Sequence, residues 1–352
     1  MLQQAVLRKG LVLLNNRYHR QILFEPIGNK GQARVENSHV LIIGVGALGS
    51  SSAEMLARAG VGKLTLIDRD YVEASNLQRQ QLFTENDVKQ KTPKAIAAKQ
   101  RLREVNSSII IEPLIKDAGA EELEEIVPQV DLIIDATDNF DTRLIINDIA
   151  QKHKKPWIYG GCVASYGVTF TVIPGVTPCF HCLLDHIPND GATCDTVGII
   201  SPTVQMVVAH QMTEALKILT NHPEALSGKL IGFDLWKNER MEIEVSRLKD
   251  DQCPSCVKEE YPYLAFDAQM KTAVLCGRNT VQIRAKHRGE MDLEQLAGHI
   301  KRNPQITLLK NPFLLSFELE NYRIVIFKDG RTFIHGTKDI VEAKKIYHQY
   351  VG

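Results

Sequence analysis

The stretch Val40-Leu41-Ile42-Ile43-Gly44-Val45-Gly46-Ala47-Leu48-Gly49-Ser50 constrains this chain more than any other. Four successive apolar residues read as a strand buried on both faces, as a parallel sheet covered by helices requires. They run straight into G-x-G-x-x-G, after which Ser51 to Ala59 can form a helix. Glycines in such a turn let backbone approach a phosphate chain, and the helix N-terminus offers unpaired N–H groups to negative charge. A second strand, Leu64 to Ile67, ends on Asp68, about 20 residues past the last glycine, where a carboxylate can meet a ribose hydroxyl. The expectation is a nucleotide site on a Rossmann-like α/β fold with a largely parallel, mixed central sheet.

The rest of the chain narrows the class. Acidic and basic residues balance at 42 each, so no global field draws the protein to nucleic acid or to an anionic membrane. No apolar run approaches the roughly 20 residues needed to span a bilayer. Residues 1–16 hold a short apolar patch, Leu11 to Leu14, without a small-residue cleavage site, and read as a leader rather than a signal peptide. Seven cysteines in 352 residues do not make a secreted disulfide scaffold, so a cytoplasmic location is expected.

Strands and helices alternate onward from Asp68. Residues 70–80 form a polar loop too long for a tight connection, and long ordered loops are often functional. Helices are expected over Ala95 to Val105, Ala120 to Ile126 and Asp141 to His153, with a strand over Ile109 to Ile111. Leu132 to Asp135 is a second buried strand ending in carboxylates, which sets Asp138 toward the same crevice as Asp68. Pro156 to Tyr159 and Thr169 to Ile173 read as strands separated by Gly160, Gly161 and Gly167. Ser201-Pro202 then opens a helix to about Leu219, with Ser201 as N-cap and Pro202 at the first position. Residues 265–352 change character, with short alternating segments, a Lys328-Asp329-Gly330-Arg331 hairpin turn and helices near 293–301 and 340–350. These 88 residues read as a separate small α+β domain of unknown role after a main domain at 17–260.

Cys179-x-x-Cys182 and Cys253-x-x-Cys256, 70 residues apart, have the knuckle spacing of a four-thiolate zinc site. Two redox dithiols or four core thiols are the alternatives, but a thioredoxin-like motif needs a βαβ context that Pro178-Cys179 lacks. A closed zinc site would fasten the fold and perform no catalysis. Cys194 has no such mate and stands among small and polar residues, either inert or nucleophilic; Cys162 and Cys276 sit in apolar strand-like contexts and are expected to be inert. Taken alone, the glycine turn with Asp68 most often means a nicotinamide-dependent oxidoreductase. Three features argue against it. The Asn76-Leu77-Gln78-Arg79-Gln80 loop and Lys94 supply donors and cations where a triphosphate needs compensation. Asp138 adds a magnesium ligand, as nucleotidyl transfer requires. A second strand-glycine unit, which would complete a dinucleotide fold, is missing.

Arg17-Tyr18-x-Arg20-Gln21, Gly44-x-Gly46-x-x-Gly49, Asp68-x-Asp70, Ser75-Asn76-Leu77-Gln78-Arg79-Gln80, Pro93-Lys94, Ala136-Thr137-Asp138-Asn139, the paired cysteines and Thr193-Cys194 occur together in order. In that combination the chain, over roughly residues 17–260, resembles the ubiquitin-activating-enzyme-like adenylyltransferases of the ThiF and MoeB type. The resemblance implies an enzyme that binds ATP and magnesium (Mg2+), holds structural zinc (Zn2+), and adenylates the Gly-Gly carboxylate of a ubiquitin-like sulfur-carrier protein. It implies an ATP site of Gly44, Gly46, Gly49, Asp68, Asp70, Asn76, Arg79, Lys94, Asp138 and Asn139, with Asp68 on the ribose, Asn76, Arg79 and Lys94 on the phosphates, and Asp138 acting through magnesium. Arg20 would reach into the site of the other subunit of a homodimer. Cys194 matches a cysteine that can join the activated carrier through an acyl disulfide, with sulfur from a cysteine desulfurase-type donor. On this reading Arg79→Ala and Lys94→Ala abolish carrier-dependent ATP–pyrophosphate exchange with folding intact.

The residues around Cys194 and the C-terminal extension tilt the reading toward ThiF and the thiazole carrier; the molybdopterin-synthase carrier is the alternative. Two departures stand out. The segment from Val88 to Lys94 is longer than the common V-G-x-P-K form, and the last 88 residues lie outside the shared core and lack a rhodanese C-x-x-G-x-x-R loop.

Overall fold

The computed structural model describes residues 17–184, 194–267, 272–274, 279–283, 290–301, 306–319 and 321–351; the leader and Cys276 lie outside them. The first sheet is built from β1 (His39–Ile43), β2 (Lys63–Ile67), β3 (Ile110–Leu114), β4 (Leu132–Asp135), β5 (Trp157–Val163), β6 (Tyr166–Val172), β7 (Lys229–Asp234) and β8 (Glu239–Glu244). Their spatial order is β3-β2-β1-β4-β5-β6-β7-β8. From β3 to β5 every pairing is parallel, and from β5 to β8 every pairing is antiparallel. The antiparallel strands stand where a dinucleotide fold would repeat its first half.

Alternation along each buried strand divides the core in two. Val40, Ile42, Leu64 and Leu66 face one side, where the helices Ala47–Ala59, Lys94–Val105 and Ser201–Thr220 contribute Leu56, Leu102, Val204 and Val208. Leu41, Ile43, Ile67 and Ile133 face the other, against Leu123 and Ile146 of the helices Ala120–Ile126 and Phe140–Lys152. Both faces are covered, which explains why these strands are unbroken apolar runs.

Several expected boundaries move. Gly160, Gly161 and Gly167 do not separate strands but lie inside β5 and β6, which form a hairpin. A Cβ on Gly160 would sit 2.5 Å from Gln211 Nε2, and one on Gly167 would sit 2.4 Å from the Phe233 ring, so the glycines admit close neighbours. The N-cap of the Ser201–Thr220 helix is Ile200, not Ser201, and Pro202 follows one place later in the first turn. The helix after the glycine turn starts at Ala47, four residues earlier than expected, which brings Gly49 into its first turn.

A second, antiparallel sheet is formed by β9 (Thr272–Val274), β10 (Thr280–Ile283), β11 (Leu308–Lys310), β12 (Leu314–Leu319), β13 (Tyr322–Phe327) and β14 (Thr332–His335), in the order β11-β12-β13-β14-β10-β9. Leu315, Phe317, Ile324, Ile326 and Ile334 pack from one face of it against Leu293, Ala297, Ile300 and Ala343 of the helices Leu293–Ile300 and Ile340–Tyr350. Asp292 and Asp339 cap those helices, each carboxylate accepting two backbone N–H groups. Among the described residues no helix is long and apolar enough to cross a membrane.

Candidate functional site

Register places Ile43 beside both Ile67 and Asp135, so Gly44, Asp68 and Ala136 leave the sheet at one edge. Strand order reverses between β1 and β4, and open α/β sheets bind ligands in the crevice beyond the carboxyl ends at such a switch point. Gly44 turns there with φ +86°, and a Cβ on it would lie 2.7 Å from the Ala136 carbonyl oxygen. One on Gly49 would lie 1.9 Å from the Gly44 carbonyl oxygen. These two glycines are steric necessities. Gly46, the N-cap of the Ala47–Ala59 helix, has only Gln80 Nε2 near, 3.8 Å from where a Cβ would stand.

Asp68 holds this turn as well as facing the crevice. Its Oδ2 accepts the Val45 N–H at 2.6 Å and its Oδ1 accepts the Asp70 N–H at 2.7 Å. Burial pushes its carboxyl above the ordinary range; the Lys94 ammonium opposes that shift and the Asp70 charge adds to it. Lys94 begins its helix, is buried, and reaches Asp70 Oδ2 at 3.1 Å. A bridge between Tyr71 and Pro93, with the Lys94 N–H donating to the Asp70 carbonyl at 2.9 Å, closes the intervening loop at its neck.

Within that loop Asn76 is buried and its Oδ1 accepts the Glu73 N–H at 3.0 Å, ending a short turn over Ala74–Asn76. Arg79 is half-buried, its Nη1 donating to the Ser75 carbonyl at 2.9 Å. Gln80 is buried with no partner for its Oε1. Its position by the glycine turn makes it a site residue that the sequence reading did not select, although it stands in the quoted Ser75–Gln80 motif.

Asp138 is exposed on the loop after β4, beside Asn139, whose Oδ1 caps the Phe140–Lys152 helix by accepting the Asp141 N–H at 2.8 Å. The loop is shaped from beneath by a buried pair. Arg143 Nε donates to Asp135 Oδ2 at 3.1 Å, and its Nη2 donates to the carbonyls of Thr137 at 2.6 Å and Gly160 at 3.2 Å. Asp135 Oδ1 also accepts the Thr137 N–H at 2.9 Å and hydroxyl at 2.7 Å. No local pattern marks this support, because an Arg eight residues past a strand end is common on any helix.

Arg20 lies elsewhere. Its short helix, His19–Ile22, is tied to the far end of the Ala47–Ala59 helix, with Gln21 Nε2 donating to the Ala59 carbonyl at 3.0 Å. By helix rise that is roughly 20 Å from the glycine turn of the same chain. Cys194 starts a short helix, Cys194–Val197, and its side chain lies outside the described residues. The chain beyond it is anchored by the Ala164 N–H donating to the Gly198 carbonyl at 2.8 Å. Cys162 is half-buried in β5.

The paired cysteines converge. The sulfurs of Cys179, Cys182, Cys253 and Cys256 all lie within 4.8 Å of one another, with separations of 3.8, 3.6 and 3.7 Å for 179–182, 179–253 and 182–256. A tetrahedron with Zn–S of about 2.3 Å has edges of about 3.8 Å, so the donor set fits zinc. Asn147 Oδ1 accepts the Phe180 N–H at 2.8 Å behind one knuckle, and Asp148 Oδ2 accepts the Tyr263 N–H at 2.9 Å beyond the other.

Residues 18–255 match the model of the ThiF family. The chain is 54% identical over 339 residues to the sulfur carrier protein ThiS adenylyltransferase of Bacillus subtilis (strain 168), covering 96% of this chain and 100% of that protein. It is 34% identical over 233 residues to the molybdopterin-synthase adenylyltransferase of Escherichia coli (strain K12), covering 66% and 92% respectively. The crystal structure of E. coli MccB with ATP superposes with a TM-score of 0.60 at 25% identity, over 68% of this chain and 74% of that one. On the strength of the match over residues 18–255, this chain belongs to the ThiF family.

Proposed function

We propose that this protein is a sulfur-carrier protein adenylyltransferase that uses ATP to activate the C-terminal Gly-Gly carboxylate of a ubiquitin-like carrier of the ThiS kind. The likeness to the B. subtilis enzyme carries the choice of carrier, because its 54% identity stands well above the 34% of the molybdopterin relative. A carboxylate oxygen attacks the α-phosphorus, an acyl–phosphate bond forms, and pyrophosphate leaves with the electrons of the broken P–O bond. Carboxylate and triphosphate repel each other, so the residues must neutralise charge that the transition state concentrates.

In this reading Asp68 takes the ribose, and the turn of Gly44, Gly46 and Gly49 lies along the nucleotide. Asn76, Arg79 and Lys94 face the phosphates from the loop above, while Asp70 holds Lys94 in place. Asp138 holds magnesium, which supplies charge neutralisation when bound, and Asn139 fixes the backbone next to it. Arg20 serves the site of the second subunit in a homodimer. Cys179, Cys182, Cys253 and Cys256 would hold zinc, which would fasten the two knuckles together when bound. A cysteine desulfurase-type donor passes sulfane sulfur to Cys194 as a persulfide, whose outer sulfur attacks the carrier acyl-adenylate carbonyl; the acyl–phosphate bond breaks, AMP leaves, and the carrier is held as an acyl disulfide. Residues 17–260 form the adenylating domain and 265–352 a second one. Free thiols and an ATP-dependent reaction fit the cytoplasm.

The test is ATP–pyrophosphate exchange with magnesium and a purified carrier ending in Gly-Gly, with the ThiS-type and molybdopterin-type carriers compared. Exchange driven by the first is expected, and Arg79→Ala should lower it by about 10²–10³-fold. Undiminished exchange in that variant would remove Arg79 from the site, and binding of NAD in place of ATP would overturn the assignment. For Cys194, Cys194→Ser should keep exchange and lose a reductant-sensitive carrier conjugate.

A further inference from the structure

The C-terminal domain is seated on the loop that carries the proposed phosphate-binding residues. Strand alternation gives its sheet a second apolar face, and Leu314, Val325, Phe327 and Phe333 on that face bury Tyr71 at the neck of the 70–94 loop. Polar contacts surround this apolar patch at both ends of the loop. On the first arm, Arg323 forms an ion pair with Glu73, and the Tyr71 hydroxyl lies 3.2 Å from His335 Nε2. Glu73 is the residue whose N–H holds Asn76 Oδ1, so Arg323 acts two contacts away from Asn76. On the second arm, Asn311 Nδ2 donates to the carbonyls of Gln90 at 3.0 Å and Lys91 at 3.3 Å, and Lys91 Nζ donates to Ser316 Oγ at 2.6 Å. Lys91 has φ +47° and stands three residues before Lys94. A third grip lies behind: buried Arg331 donates from Nη2 to the Ile115 carbonyl at 2.7 Å and from Nη1 to the Arg69 carbonyl at 3.4 Å, next to Asp68.

We infer that the C-terminal domain is a clamp that sets the conformation of the 70–94 loop for ATP, with Arg323 and Asn311 as its positioning residues. Gln90 and Lys91, which Asn311 and Ser316 hold, lie within the longer Val88–Lys94 segment. Whatever part of a loop bearing Asn76, Arg79 and Lys94 the nucleotide itself has to order is subtracted from ATP affinity as ordering entropy. The clamp does this ordering in advance. It touches no reacting atom.

The inference rests on the adenylation reading for its ligand, so the experiment includes a measurement that needs neither ATP nor carrier. Arg323→Ala, Asn311→Ala and the double variant are made in the full-length chain. Without nucleotide, backbone amides over residues 72–94 should exchange hydrogen faster in each variant than in the wild type, with the Cys179–Leu183 segment unchanged. With ATP and magnesium, Kd for ATP should rise by about 2- to 30-fold while the KM for carrier stays within error. Arg323→Lys, which keeps the charge, should recover part of the loss; a purely structural defect would instead lower the melting temperature and speed amide exchange throughout, the Cys179–Leu183 segment included. Wild-type protection of 72–94 in the double variant would overturn the clamp. Faster exchange there with no ATP binding by the wild type would keep the clamp and overturn the adenylation reading.

Discussion

Lys94 is 3% exposed, and its Nζ shares a largely buried pocket with the Asp70 carboxylate. Its charge therefore serves the fold, in addition to the phosphate role proposed for it. Breaking a buried pair by deleting one partner is costlier than replacing both, because the remaining charge loses its compensation. Lys94→Ala should thus lose exchange activity and also about 3–5 kcal/mol of stability. This differs from the expectation, read from sequence alone, that Lys94→Ala leaves folding intact. Pairing Lys94→Met with Asp70→Asn should return most of the stability and none of the activity. Urea unfolding followed beside pyrophosphate exchange separates the two roles; a Lys94→Ala variant as stable as the wild type would mean that Asp70 is held by other groups. Arg79 is the cleaner probe of chemistry, since among the described residues its side chain donates to a carbonyl four residues back in its own loop rather than to a buried charge.

The Phe140–Lys152 helix joins both halves of the site. Its first turn, through Arg143 on Asp135, shapes the loop with Asp138, and its middle, through Asn147 and Asp148, holds backbone N–H groups beside the two cysteine knuckles. A metal held at the knuckles, as proposed, would brace the loop from a distance. Structural zinc in small peptides supplies about 10–16 kcal/mol; losing even about 4 kcal/mol from a fold of this size lowers Tm by roughly 8–16 °C. Calorimetry of protein stripped by a strong chelator should show that drop, with recovery on adding zinc, and an unchanged Tm after complete metal loss would dismiss a structural metal. Of these parts, the sequence displayed the knuckles plainly, because C-x-x-C spacing is set by the ligand geometry itself. It also displayed β1, β2 and β4, where burial on both faces leaves only apolar residues. It hid β7 and β8, since Gly232 interrupts one and the other, Glu239–Glu244, is exposed throughout and alternates charge with Met241 and Ile243 as edge strands do. Nor did it show the Asp135–Arg143 pair or the grip of Arg323 on Glu73. Those are meetings of residues distant in the chain, and no period records them.

The chain ties Asp68, Asp70, Lys94 and Gln80 to the glycine turn, on or beside the loop that carries Asn76 and Arg79, and leaves Arg20 at the opposite end of the Ala47–Ala59 helix. Arg20 is exposed there, and Leu23 and Phe24 beside it are 68% and 61% exposed. An arginine flanked by bare apolar side chains, remote from its own site, is what a subunit contact supplied in trans requires. In the proposed two-fold dimer the contribution would be reciprocal, each site borrowing the other protomer's Arg20. This has a consequence that no single variant can mimic. Arg20→Ala and Arg79→Ala should each be inactive as homodimers. Mixed one to one and allowed to exchange subunits, they form mixed dimers in which one site pairs an intact Arg79 with an intact Arg20, while the other lacks both. With random exchange half of the dimers are mixed and half of their sites work, so about a quarter of wild-type exchange activity should return. If Arg20 served its own protomer, every site in the mixture would lack one arginine or the other and no activity would return. If the protein were a monomer, the mixture would stay inactive as well, and sedimentation would show a single-chain mass; recovery near a quarter at dimer mass is the result that only the trans arrangement gives.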